Sequence, residues 1–523
     1  MAGAAVAAPG QGRAVLPSPP PLTGAMLWFA AFILAMSNFM AVLDTSVANV
    51  SIPNIAGGLA VSPNQGTWVI TSYSVAEAIT VPLTGWLAQR FGAVRTYMIC
   101  ISLFGLASAL CGLSHSLTVL VFFRVCQGLA GGPMMPLSQT LLLRIFPPKM
   151  APQAIGLWSM TTVVGPIAGP LLGGFLSDEY GWPWVFYINV PVAIMLVLIG
   201  SRLMAGRETP TQKLKVDTVG LGLLIVWVSA LQIMLDKGKE LDWFNSNIII
   251  GLLIVAAIGF TCFMIWELTD KQPIVNLKIF RYRGFAVSAA IMPLVFGSFF
   301  ASVVLVPLWL QTNMGYTAEE SGRLTAFNGV LAVVMSPIVA QMTRRFDPRL
   351  LISFGVALLG SVMFWRTTFN STITFQQMVW PSLAQGFAMP FFFVPLMGLA
   401  LGSVKPEETA SAAGLISFAR TVAGAFGTSI VTTAWENASG RVRADMVGNL
   451  NQAPQVLNAI GANGFSPQAA LGQLDALVQN QAVMVATNHI FQAIGAVMML
   501  AAAAVWLAPK PNRAPPPPGA GGH

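Results

Sequence analysis

Three charged side chains interrupt otherwise apolar stretches in the first quarter of the chain: Asp44, Glu77 and Arg124. A charge at the centre of a membrane-crossing helix costs on the order of 2.5–3.5 kcal/mol on insertion scales, so each must face a cavity or a partner. Counted at about 1.5 Å per residue from the ends of their apolar runs, Asp44 falls past the membrane midplane toward the outside and Glu77 falls close to mid-depth. The same count puts Arg124 roughly 10 Å below the outer surface, at a depth where Asp44 and Arg124 can meet. Two readings of the pair stand. It is a bridge that fixes helix packing, or a carboxylate that takes and releases protons, tuned by burial against the guanidinium. A proton entering across a membrane brings about 2.3 kcal/mol per 100 mV, enough to bias a two-state equilibrium. Glu77 is the second proton-coupling candidate; otherwise it is a hydrogen-bonded polar residue of the interior.

Further along, GPIAGPLLGG sets Gly165, Gly169 and Gly173 four residues apart on one helix face, with Pro166, Pro170 and Gly174 among them. Small residues at this spacing let two backbones approach closely, and the prolines remove donors and bend the helix. The stripe is either ordinary tight packing or a hinge and seal between two bundles. Arg420, inside a later apolar run, either holds an anionic substrate or an internal carboxylate, or caps helix carbonyls. Clusters such as Phe299-Phe300 and Phe391-Phe392-Phe393 line a greasy pocket or face lipid.

These side chains need apolar scaffolding, and the chain supplies it. It is 55% hydrophobic and 9% charged over 523 residues, against about 25% charged in soluble domains. Fourteen apolar runs approach the roughly 20 residues that a spanning helix requires, from Leu27–Val50 to Ile490–Leu507. The eleventh, Leu350–Trp365, and the fourteenth are short, so twelve or thirteen spans stay open. With fourteen spans and both termini cytoplasmic, nineteen of the 27 Lys and Arg lie on the cytoplasmic side, as retention of basic residues demands. The net charge of +8 is thereby a topology signal, and nucleic acid need not be invoked. No GxxxxGK[ST] loop, HExxH or paired-Cys spacing occurs, so neither ATPase, metal nor other cofactor is expected. The drive is expected to be the proton gradient. Cys100, Cys111, Cys126 and Cys262 lie in apolar runs and read as core packing.

Segments of the first half recur in the second. Pro82 with Arg90-Phe91 returns as Pro337 with Arg345-Phe346, 255 positions on, and Gln127-Gly128 returns as Gln385-Gly386 at 258. Gly156, Ser159 and Gly169 return as Gly414, Ser417 and Gly427, again at 258. Shifted by about 255, Asp44 and Glu77 reach Phe299 and Ala332, so the acids have no counterparts. The organisation expected is an all-α membrane protein of two pseudo-symmetric six-helix bundles plus two extra helices. Residues 1–24 form a disordered cytoplasmic tail, 25–206 the first bundle and 207–270 the inserted pair. Residues 271–508 form the second bundle with an external loop at 436–485, and 509–523 a Pro-rich tail. The external loop is a partly helical solvated segment or a docking surface. Two like halves that rock about a central site are the architecture of a secondary transporter, so an enzyme is not expected; the class alternatives are a passive channel and a transporter-like sensor.

LDTSVANVSIP (Leu43–Pro53), RVCQG (Arg124–Gly128), GPIAGPLLGG and WPWVFYINVP (Trp182–Pro191) together resemble the motifs of the major facilitator superfamily. Within it the chain is most similar to the fourteen-span drug:proton antiporters of the EmrB/QacA type, in their EmrB branch, over nearly its whole length. The resemblance implies a multi-pass inner-membrane pump of a Gram-negative bacterium, expelling hydrophobic drugs and toxic amphiphiles in exchange for protons. It further implies a periplasmic membrane-fusion adaptor and, through it, a TolC-like outer-membrane channel, with docking through the outer surface. A narrower exporter of fatty acids is the rival within the same machinery. One departure stands out: GWLAQRFGAVR carries Gln89 where the superfamily's loop after span 2 has an acid, which puts the usual charge lock in question.

Overall fold

The computed structural model describes residues 22–450, 453–462 and 466–508. The two tails expected at 1–24 and 509–523 therefore fall almost wholly outside the described residues. Among those described the regular structure is entirely helical, as it must be where no water is present to satisfy backbone groups. The spanning elements are α1 (Gly24–Val50), α2 (Trp68–Thr80, resuming as Thr84–Phe91), α3 (Ala93–Gly112) and α4 (Leu117–Gly131, resuming as Met134–Ile145). They continue as α5 (Ala151–Glu179), α6 (Trp184–Tyr187, resuming as Asn189–Leu203), α7 (Thr218–Lys237) and α8 (Asn247–Thr269). The second half holds α9 (Arg283–Asn313), α10 (Ala318–Arg345), α11 (Pro348–Arg366), α12 (Phe375–Gly402), α13 (Thr409–Gly448) and α14 (Pro467–Ala504).

Twelve of these are long and apolar enough to cross a membrane as single helices. α5 is the thirteenth, bent by 41° between Pro148–Pro166 and Ala168–Glu179, where two in-helix prolines remove backbone donors. α2 completes fourteen only by joining its two pieces across Val81-Pro82-Leu83. The short eleventh and fourteenth runs are full-length helices. Side-chain caps fix several starts: Ser116 accepts from Val119 N at α4, Asp217 from Gly220 N at α7, and Thr317 with Glu320 forms a capping box on α10.

Packing repeats between the halves. α1 lies on α5 as α9 lies on α13; α2 on α4 as α10 on α12; α3 on α4 and α6 as α11 on α12 and α14. The halves meet where α10 lies along α5 and where α13 crosses α2 and α4. α7 and α8 form a hairpin beside this frame, α7 touching both α2 and α13. The segment expected as an external loop is largely helical: α13 runs on to Gly448, Ala453–Ala462 is a separate helix, and α14 begins at Pro467. Arg443 on the first of these bonds Asp475 on the last at 2.6 Å. All four cysteines are free; Cys100 and Cys111 are buried, whereas Cys262 is on the exposed side of α8 rather than in the core.

Candidate functional site

α1 and α4 bring Asp44 and Arg124 together as their depths suggested. Arg124 Nη1 donates to Asp44 Oδ2 at 2.7 Å, and both side chains are sealed from solvent. Gln127 Nε2 and Asn189 Nδ2 donate to the other carboxylate oxygen at 2.9 and 2.6 Å. Arg124 also donates through Nε to the Val69 carbonyl at 3.0 Å, and its guanidinium lies 4.3 Å from the Tyr73 ring centre. Ser108 of α3 accepts from Gln127 and Asn189 at 3.2 and 3.1 Å. Five helices are thus tied at one point. With three donors on it, the Asp44 carboxylate is fully bonded and closed to solvent in this conformation. Sequence reasoning missed Ser108, Gln127 and Asn189 as partners. Gln127 was findable: three residues after Arg124, it shares that helix face.

Glu77 is placed differently. It lies deep among the helices yet is only half-buried, and no described donor bonds its carboxylate. The cation acting most strongly on it is Arg420 of α13, from the other half of the molecule. Arg420 is 5% exposed, its guanidinium 5.3 Å from the Trp158 ring centre and 5.5 Å from that of Phe296. Its Nη2 points at the Met135 sulfur, 2.9 Å away. Trp158 stacks on Phe393 at 6.1 Å, and Phe393 and Phe300 lie 6.2 and 4.8 Å from Phe296. Met135 and Trp158 from the first half therefore face Arg420, Phe296 and Phe393 from the second, with Glu77 within electrostatic reach of Arg420. Trp158 Nε1, the Gln139 amide and the Ser417 hydroxyl, all buried, have no bonding partner among described residues. The arrangement is an aromatic box with one cation and a carboxylate within its electrostatic reach, a lining whose chemistry suits a largely apolar guest.

The glycine stripe of α5 packs inside the first half. A Cβ on Gly165 would meet Val42, on Gly169 Ser46, and on Gly173 the Val47 backbone, all on α1, whereas Gly174 faces open space. Ser46 Oγ also reaches the Pro166 carbonyl at 3.4 Å. Pro170, by contrast, does reach the second half, opposite Gly322 of α10. The seal between bundles instead uses other glycines: Gly156 against Ser336 and Ala340, Gly414 against Val81 and Thr84, and Gly85 against Ser411.

The second half carries a partial copy of the ion-pair cluster that the sequence did not reveal. Gln385 donates to Ser302 at 3.0 Å, as Gln127 does to Asp44, so Ser302 at an offset of 258, rather than Phe299, stands in the place of Asp44. In the same register Ser382 replaces Arg124 and Arg366 replaces Ser108. Arg366 is 2% exposed and not at the surface. It bonds Ser382 at 3.4 Å and lies 5.8 Å from the Phe491 ring centre, with Nη1 unpartnered and no carboxylate beside it among the described residues. The missing acid after α2 is also supplied from elsewhere. Glu208, in the segment after α6, accepts from Val94 N and Arg95 N at 2.9 and 2.8 Å, and Arg90 bonds the Leu214 carbonyl. Gly92, at φ +93°, permits that approach; a side chain there would strike Glu208.

Residues 27–428 match the family model of the Major Facilitator Superfamily. The chain is 42% identical to the "Multidrug export protein EmrB" of Escherichia coli (strain K12) over 507 residues, 96% of this chain and 98% of that one. It is 39% identical to the "Fatty acid resistance protein FarB" of Neisseria gonorrhoeae over 508 residues, 96% of this chain and 99% of that one. Among solved structures, the proton:xylose symporter XylE superposes with a TM-score of 0.56 at 13% identity, covering 93% of this chain and 96% of that one. The human organic anion transporter MFSD10 gives 0.52 at 13%, covering 90% and 97%. At such identities the likeness concerns the fold.

Proposed function

The chain belongs to the major facilitator superfamily, in its EmrB-type multidrug branch, and from that premise we propose that it exports hydrophobic drugs and toxic amphiphiles in exchange for protons. The observation that carries the proposal is Glu77: a half-buried carboxylate with no described hydrogen-bond donor, within electrostatic reach of Arg420, which stands against the aromatic box in the other half. A proton on Glu77 removes its attraction to Arg420 and so changes the energy of holding the halves together there. A guest in the box competes for the same contacts. Proton and guest are thereby coupled through one interface, which is what exchange requires. Asp44 has a separate role, since it becomes reachable only if rocking loosens the Arg124–Gln127–Asn189 cluster.

The inner membrane is the proposed location, with the termini on the cytoplasmic side in keeping with the distribution of Lys and Arg. The helical hairpin formed by the ends of α13 and α14 then faces the periplasm and is the proposed docking element for a membrane-fusion adaptor leading to an outer-membrane channel. A second reading, export confined to fatty acids, is favoured by Arg420 standing amid aromatic rings, where a substrate carboxylate would find a cation.

Reconstitution of the purified chain in vesicles with an imposed pH gradient tests this. Gradient-driven movement of several unrelated lipophilic compounds, abolished by Glu77→Gln, is the expected result. Movement of fatty acids alone would select the narrower reading, gradient-independent flux a channel, and no flux of any solute a sensor.

A further inference from the structure

Outside the central box, the α7–α8 hairpin stands off from α9, α13 and α14 and leaves a cavity of about 890 Å³ lined almost entirely by apolar side chains, among them Trp227, Phe263 and Phe418. Its rim is open: Leu268, Leu294 and Ile430 are 59%, 50% and 59% exposed at membrane depth. A smaller cavity of about 240 Å³ lies at the end of the molecule where the chain begins. Its lining is polar and holds two cations, Lys271 and Lys278, with Gln89, Gln272 and Asn276 and no acid. Both lysines are exposed. Pro82, Val275 and Leu415 line both cavities, so the two adjoin, the apolar one at membrane depth and the cationic one at the end where the chain begins. The segment between α8 and α9 that shapes this junction is pinned by Glu267, whose buried carboxylate accepts from Val275 N at 3.1 Å.

We propose that this composite groove is a binding site for one anionic phospholipid of the adjacent leaflet, its acyl chains between the α7–α8 hairpin and the second half and its phosphate against Lys271 and Lys278. The surroundings of the open rim are hydrocarbon, which sets the chemistry of what enters, and a basic pocket at headgroup level selects a negative charge. Because the groove wall includes α13, which carries Arg420, and Pro82, where α2 breaks below Glu77, the bound lipid touches both halves next to the seal.

The test uses the full chain purified in detergent, with dioleoyl phosphatidylglycerol and dioleoyl phosphatidylcholine as probes and retention by native mass spectrometry and thermal unfolding as readouts. Phosphatidylglycerol is expected to stay bound and raise the unfolding temperature, phosphatidylcholine to do neither. In K271Q/K278Q the apparent affinity should fall by about five-fold for each lysine removed. Ser298→Trp, which fills the apolar part, should abolish retention while K271Q/K278Q, altered only at exposed positions, keeps the protein's own unfolding temperature. Equal retention of the two lipids, or phosphatidylglycerol binding indifferent to both variants, overturns the assignment. So does displacement of the bound lipid by stoichiometric oleate, which would make the groove a fatty-acid site. None of these readouts depends on transport or on a proton gradient, so they stand or fall apart from the exchange mechanism.

Discussion

Gly156 and Gly414, 258 residues apart, do the same work on opposite sides of the molecule. A Cβ on Gly156 would stand 3.3 Å from the Ser336 carbonyl oxygen, and one on Gly414 would stand 2.9 Å from the Val81 carbonyl oxygen. Each glycine lays its helix against a backbone carbonyl of the other half, and Val81 and Ser336 are themselves related by the 255-residue offset.

These contacts belong to the interface between halves, so bulk there opposes the state in which this end is closed. Gly414→Val is expected to slow export far more than it lowers the unfolding temperature. Overpacking typically costs about 1–3 kcal/mol, which moves the equilibrium between closed and open states by roughly 5- to 150-fold. Crosslinking of paired cysteines introduced at this end should fall in parallel. Unchanged export together with unchanged crosslinking would remove this interface from the rocking motion.

The two carboxylates should separate in a stability measurement. Asp44→Asn leaves the Arg124 guanidinium buried without its counter-charge, and breaking a buried pair costs about 3–5 kcal/mol. Its unfolding temperature in detergent is expected to drop markedly. Glu77→Gln disrupts no hydrogen bond and should unfold near the wild-type temperature, while gradient-driven export is lost. In the wild type, collapsing the pH gradient should stop accumulation of drug; in Glu77→Gln, drug distribution should be the same with and without the gradient. An Asp44→Asn protein as stable as the wild type would show that the ion pair does not hold the first half together.

Much of this frame was legible because a bilayer imposes length and polarity on every span. Twelve of the fourteen apolar runs became helices long and apolar enough to cross, a thirteenth a bent pair, and the depth count put Asp44 at a level where it can meet Arg124. What escaped the sequence follows a pattern. Hydropathy registers only the part of a helix inside the membrane, so the segment beyond it read as a partly helical external loop, without the unbroken continuation of α13 to Gly448. The partial cluster of the second half was hidden because its charge had moved: the arginine on α4 has no basic counterpart on α12, and Arg366 stands instead on α11. The glycine stripe of α5 shows a different limit. Its spacing required a close helix contact, but spacing does not say with which helix, and the partner is α1.

Arg366 carries a prediction of its own. A buried guanidinium with one long bond to Ser382, an unpartnered Nη1 and no adjacent carboxylate among the described residues is a costly group to fold. Replacing buried charges by apolar side chains of similar size is often neutral or stabilising by about 1–4 kcal/mol. Arg366→Met is therefore expected to leave the unfolding temperature unchanged or raise it. A drop of several degrees would mean that the charge is balanced by an anion taken from solution, and chloride dependence of the wild-type unfolding temperature would then accompany it.

The far end of α7 ties the two halves together and should restrain their rocking. Lys237 Nζ donates to Thr67 Oγ1 of the first half at 2.6 Å, while Ser429 donates to the Leu235 carbonyl at 2.8 Å and Trp243 Nε1 to Thr433 Oγ1 at 2.8 Å, both on α13 of the second. Lys239 adds a bridge to Glu436 at 2.7 Å, but both partners are about half exposed, which makes it the weakest of these ties. Trp243→Phe removes the Thr433 bond and keeps the ring. A neutral hydrogen bond contributes about 0.5–1.5 kcal/mol net, so the population of the conformer opened at this end should rise by roughly 2- to 12-fold. The measurement is labelling of a cysteine placed in the central box, at Phe300, by a thiol reagent added from that side. Faster labelling in Trp243→Phe with an unchanged unfolding temperature is expected; equal labelling would mean that the inserted hairpin follows the halves without holding them.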